Sequence, residues 1–99
     1  MALLLATEYG NTGLMGEYWK IVEIRINYLA RTSVVLIFQW ADQQARLDGK
    51  QWLQERQYSW DGAEFPFDLA ALDAEGMNHV RAAYEKLRTL PEYAGAVDV

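Results

Sequence analysis

Cysteine is absent from the 99 residues, so a disulfide framework, a thiolate nucleophile and a cysteine-held zinc site are all ruled out. Bases are scarce beside acids. Nine Lys and Arg against fourteen Asp and Glu give a formal charge of -5. That balance argues against a nucleic-acid binder, which needs a basic footprint to neutralise phosphate. It argues equally against holding an anionic membrane through a polybasic face. Long apolar runs are missing too: Val34–Phe38 falls far short of the roughly 20 residues that span a bilayer. The start, Met1-Ala2-Leu3-Leu4-Leu5-Ala6-Thr7, lacks the basic flank and the length of a secretory leader. The expectation is a protein that is cytoplasmic when made.

Histidine occurs once, as His79. A general base needs a poised pKa and a partner, and the helical phase sets His79 beside Glu75, off the apolar stripe. It reads as a surface histidine. No HExxH or EF-hand spacing is present, and Asp61, Glu64 and Asp68 read as solvated connector. Neither Ser33 nor Ser59 lies in a GxSxG turn or beside a histidine. The sequence therefore nominates no catalytic residue, no cofactor and no metal ligand.

What is present is β-pattern and aromatic surface. The chain is organised around Glu17–Trp40. Val22, Ile24, Ile26 and Tyr28 alternate there with Glu23, Arg25 and Asn27, the period of a strand with one wet face. Val34–Phe38 is apolar on both faces and predicts a central strand covered on both sides. Ala30–Ser33 supplies the reversal between these two strands. Ala2–Thr7 predicts a short strand antiparallel to the long one, joined to it through a glycine-rich turn at Tyr9–Gly13. Ala41–Lys50 predicts an excursion with a helical turn, closed by Asp48-Gly49. Gln51–Trp60 then returns as a strand with Trp52, Gln54, Arg56, Tyr58 and Trp60 on one face.

Pro66 breaks regular structure in the acidic connector Asp61–Glu75, leaving room for one helical turn at Leu69–Leu72. Beyond it Met77, Val80, Tyr84 and Leu87 recur at helical spacing, with Ala83 beside them. Asp73 is the expected N-cap, and Leu72 with Met77 the expected staple. Lys86 and Arg88 in the last turn suit the helix dipole, and Pro91 ends the helix. The tail Glu92–Val99 is small and apolar, free to pack back or to stay loose. The sum is one α+β domain over residues 1–99: an antiparallel sheet of three to four strands with one C-terminal helix on one face.

Four tryptophans are many for this length. They suit a core, but one helix covers one sheet face only, and Trp and Tyr favour interfaces. Trp52, Tyr58, Trp60, Tyr93 and Val97 are the candidate contact residues, for a protein partner or, alternatively, a carbohydrate.

At YWKIVEIRINY (Tyr18–Tyr28), at the Asp48-Gly49-Lys50 turn and above all at YEKLRTLPEYAGAVDV (Tyr84–Val99), the chain resembles a group of small bacteriophage and prophage proteins. These are encoded among tail and other late structural genes. The resemblance implies a non-enzymatic virion or assembly role, tail-associated, with the chain itself or other phage structural proteins as partners. It carries no catalytic residues. The alternative is a small binding module for a host protein or carbohydrate.

Overall fold

The computed structural model describes residues 2–8, 15–76 and 78–99. In chain order these form β1 (Leu3–Glu8), β2 (Met15–Asn27), β3 (Thr32–Trp40), α1 (Gln43–Leu47), β4 (Gln54–Ser59), α2 (Leu69–Glu75), α3 (His79–Arg88) and β5 (Val97–Asp98). Single 3-10 turns lie at Gly62–Glu64 and Pro91–Tyr93. The strands make one antiparallel sheet in the order β4-β3-β2-β1-β5. The α+β expectation holds, with α3 packed against the sheet and a fifth, two-residue strand supplied by the tail.

The β2–β3 hairpin reverses at Tyr28–Arg31, two residues earlier than the expected Ala30–Ser33. Arg31 takes the positive φ of 53° that the reversal needs, and the Asn27 carboxamide accepts from the Ala30 N–H. Thr32 and Ser33 already belong to β3, where the Ser33 hydroxyl donates to the Trp60 carbonyl. The turn expected at Tyr9–Gly13 lies outside the described residues, as does Met77.

The alternation in β2 is not continuous. Its register with β3 slips between Ile21↔Ile37 and Glu23↔Leu36, so Val22 is an extra residue in a β-bulge. Before the bulge Trp19 and Ile21 face the helices; after it Ile24 and Ile26 do. Val22, expected on the inner face, is 45% exposed instead.

All of α2, α3 and both 3-10 turns cover one face. Trp19, Phe67, Tyr84, Leu87 and Tyr93 are buried there against Val35 and Ile37 of β3. The second face of β3 is less enclosed than its sequence suggests: Val35 and Ile37 are buried, whereas Val34, Leu36 and Phe38 on the other face are only half-buried. Among the described residues the other side of the sheet carries only the short α1.

The C-terminal helix also differs from expectation. Gly76, at φ 63°, ends α2, and Asn78 starts α3, its side-chain oxygen accepting from the Arg81 N–H at 2.8 Å. Asp73 is therefore inside α2 and is not the cap. Of the expected stripe, Tyr84 and Leu87 are buried with Ala83, while Val80 is 46% exposed. The tail packs back: Tyr93 and Ala96 are buried, Ala2 and Val99 exchange backbone hydrogen bonds, and Arg88 pairs with Asp98 at 2.8 Å.

Two substitutions test the reassigned cap by urea denaturation. Asn78→Ala should cost about 1 kcal/mol, whereas Asp73→Ala should stay within about 0.5 kcal/mol; the opposite ranking would restore Asp73 as the cap. Leu87 is fully buried, so Leu87→Asp, which strands a carboxylate in the core, should prevent folding or cost upwards of about 3 kcal/mol.

Candidate functional site

Antiparallel partners share a face, so the register defines what the open side displays. Val97, Leu4, Tyr18 and Trp40 stand in one row across β5, β1, β2 and β3. Phe38, two residues from Trp40 on the same face, continues the band towards β4. Trp52 closes it, stacked on Phe38 with centroids 4.4 Å apart and planes at 30°. Tyr18, Trp40 and Ala2 make a small second core beneath this band, with Leu4 and Phe38 against it. The α1 loop roofs one corner: Trp40 Nε1 donates to the Lys50 carbonyl at 3.1 Å, and the Arg46 guanidinium lies 5.9 Å from the Trp40 ring. That loop is held by Asp42, whose carboxylate accepts from the Ala45 N–H.

Beside the roof is an open hollow of about 570 Å³ lined by Lys20, Ile21, Val22, Trp40, Arg46 and Leu47. The extra residue of the bulge forms part of its wall. A smaller hollow of about 180 Å³ lies over Val34 and Leu36, rimmed by Glu23, Arg25 and Gln57.

The five sequence candidates separate onto the two faces. Trp52, at 39% exposure, and Val97, at 59%, mark opposite ends of the open band. Tyr58, Trp60 and Tyr93 face the helices. Trp60 and Tyr93 are buried, Tyr58 stacks on Trp60 at 5.9 Å, and its hydroxyl donates to that of Tyr93 at 3.1 Å. Trp60 and Tyr93 thus belong to the core and offer a partner no surface. The strand period misassigned Trp52 because β4 begins only at Gln54, after an irregular step in which the Leu53 N–H bonds the Gln39 carbonyl.

Two core groups went unread in the sequence. Arg56 lies on the covered side, its guanidinium 4.7 Å from the Trp19 ring centroid and 5.6 Å from that of Tyr93. Burial works against its charge, but the neighbouring Tyr93 and Tyr58 outweigh that and raise its pKa. Gln39 is fully buried; its Nε2 donates to the carbonyls of Thr7 and Gly16, and its Oε1 accepts from Gln54 Nε2 at 2.6 Å. One carboxamide thereby ties four strands. Gly16 has no room for more: a Cβ there would stand 2.8 Å from the Gln39 amide carbon. The available signal was a lone glutamine between Phe38 and Trp40.

His79 is half-buried, not a free surface side chain. Its Nε2 meets the Tyr28 hydroxyl, and its ring sits 6.0 Å from those of Tyr28 and Phe67. Among the described residues no three His, Asp or Glu side chains converge on a metal-sized space, and no helix is long and apolar enough to cross a membrane. No family model, curated protein or solved structure matches the chain.

The buried tyrosines set the alkaline limit of the fold. Burial pushes the Tyr84 hydroxyl, which accepts from the Ile21 N–H, up to about 12 from an ordinary 10.0, and raises Tyr93 also. Above pH 10 the unfolded chain loses these protons first, so stability is full below that value and falls as pH climbs towards 12. Tyr84→Phe should flatten this slope in urea melts across that range. At neutral pH it should cost about 1 kcal/mol for the lost bond. An unchanged alkaline slope would remove Tyr84 as its source.

Proposed function

We propose that this chain is a non-enzymatic bacteriophage or prophage structural or assembly protein, tail-associated, that works by contacting other protein chains. The observation that carries the reading is the one-sided cover of the sheet. Among the described residues every helix but the short α1 lies on one face, and the opposite face keeps a band of large apolar side chains ending in exposed Trp52 and Val97. Such a band, with aromatic anchors and beside it a hollow over Val34 and Leu36 rimmed by Glu23, Arg25 and Gln57, has the make-up of a contact surface. The similarity of Tyr18–Tyr28, Asp48–Lys50 and Tyr84–Val99 to small proteins encoded among phage tail and late genes supports a particle or its assembly as the setting.

The stacked Phe38–Trp52 pair favours one second reading: a binding module for a host protein or carbohydrate, with the stack as an aromatic platform. Glycan-dependent quenching of tryptophan fluorescence, lost in Trp52→Ala, would support it.

Quantitative mass spectrometry of particles purified from an induced culture of the encoding strain tests the first reading. This chain should appear at fixed stoichiometry with the tail proteins. Trp52→Ala should lower its incorporation severalfold while leaving the purified protein folded by circular dichroism. Recovery of the chain only in the particle-free lysate would refute the structural role.

A further inference from the structure

The sheet has two lateral edges of unequal length. On the β5 side the edge is two residues long, too short to template another strand. Where β2 runs on past the end of β1, the first exposed N–H, that of Ile21, is already taken by the Tyr84 hydroxyl. On the other side β4 is six residues, with no described strand beyond it. It contains no proline and no bulge against β3, two of the usual protections of an edge.

The direction of its backbone groups follows from the ladder. The Trp60 N–H donates to the Ser33 carbonyl, in register with Val34↔Ser59 and Val35↔Tyr58. Antiparallel residues alternate between bonding their partner and facing away, so Gln54, Arg56 and Tyr58 bond β3. Glu55, Gln57 and Ser59 turn their N–H and C=O groups outward, and all three are exposed.

We propose that two copies of this chain pair β4 against β4, antiparallel, about a twofold axis at Gln57, joining their sheets into one of ten strands. The proposal rests on the reading of the chain as a protein that works by contacting other protein chains, and takes a second copy as the partner. Only axes through a single residue bring outward groups against outward groups. An axis through Arg56 sets Arg56 against its own copy, and one through Tyr58 sets Glu55 against the second copy's Asp61; like charges opposed in this way are unfavourable. The axis through Gln57 avoids both. Glu55 then faces Ser59 of the second copy, Gln57 faces Gln57, and Arg56 faces Tyr58. Three closely bonded pairs result, with about six backbone hydrogen bonds. The strand's base, whose guanidinium lies over Trp19 and Tyr93 of its own chain, is set beside Tyr58 of the second copy and not beside the second Arg56. The two Glu55 carboxylates sit four residues apart along the ribbon, about 14 Å, beyond the screening length at physiological salt.

Sedimentation equilibrium of the purified chain, taken to the highest soluble concentration, should show a monomer–dimer equilibrium. Gln57→Pro removes the central outward N–H at an edge position that tolerates proline, and Gln57→Lys sets two ammonium groups face to face without touching the monomer's core. Each should weaken dimerisation about tenfold or more with an unchanged far-UV spectrum; the lysine variant decides the matter if the proline variant misfolds. Because the chain has no cysteine, Gln57→Cys tests the axis directly. Paired Cα atoms about 5.5 Å apart fit a disulfide, so mild oxidation should yield a covalent dimer, and Glu55→Cys should yield far less. A monomer at all concentrations, or a dimer indifferent to Gln57→Lys, overturns the edge pairing. Incorporation into particles is read separately: a particle protein that fails these tests keeps its proposed role without this edge, and a Gln57-centred dimer missing from particles keeps the edge without that role.

Discussion

One extra residue in β2 governs which side chains meet the helices. The strand must bury Trp19 at one end and Ile24 and Ile26 at the other, and these have opposite parity. A regular strand alternates strictly, so it would bring Glu23 and Arg25 under the helices along with Trp19 and Ile21. The bulge at Val22 resets the alternation and keeps Trp19 and Ile21 on one side of it, and Ile24 and Ile26 on the other, on the covered face. It also places the Ile21 N–H where the Tyr84 hydroxyl accepts it, so the irregularity in the sheet is tied to the helix that covers it. The same step pushes Val22 out beside α1, shaping the hollow on the open side.

Around that constraint the covered core is built from rings more than from aliphatic chains. Trp19 meets Tyr93 edge-to-face at 5.5 Å, donates from Nε1 to the Leu5 carbonyl, and receives Arg56 over its ring. Buried indole and phenol each carry a polar atom that must find a partner. Here those partners lie on β1, β4 and the C-terminal tail, so satisfying them fixes the positions of the edges. The Gln39 carboxamide performs the corresponding task at the other end, with all of its bonding partners on different strands. Leaving any of these groups unpaired would cost more than the bond itself contributes, which makes the arrangement specific as well as stable.

The fold class was legible because strand alternation and helical spacing are local signals. Val35 and Ile37 on β3, and Tyr84 and Leu87 on α3, follow directly from their periods. The bulge was not legible, since Val22 is apolar and fits an unbroken alternation as well as a broken one; only the tertiary demand to bury Trp19 decides. The helix was read as starting at Asp73 because Asp is a good cap, but Gly76 splits the segment and Asn78 caps the second half. The candidate contacts fared unevenly for a related reason. Trp60 and Tyr93 are wholly core, and for Tyr93 this follows from the tail returning along β1, a long-range event that composition does not encode. Trp52 kept its exposure because the strand starts two residues after it.

The cover is asymmetric, and that asymmetry links the fold to its proposed use. A sheet of this size needs one face buried to be stable, and the connector with α2 and α3 supplies that cover. Among the described residues the open side receives only the five-residue α1, which shelters Trp40 and leaves Phe38 and Trp52 at the margin. Burying the remainder against another chain would gain roughly 25 cal/mol for each Å² of apolar area removed from water, less the cost of holding two bodies together. A face with half-exposed apolar side chains at its margin, bordered by a strand edge, would under the proposed function bind by apolar contact for affinity and by the backbone ladder for register. In an assembly of repeated copies the second matters most, because register is what makes successive contacts identical.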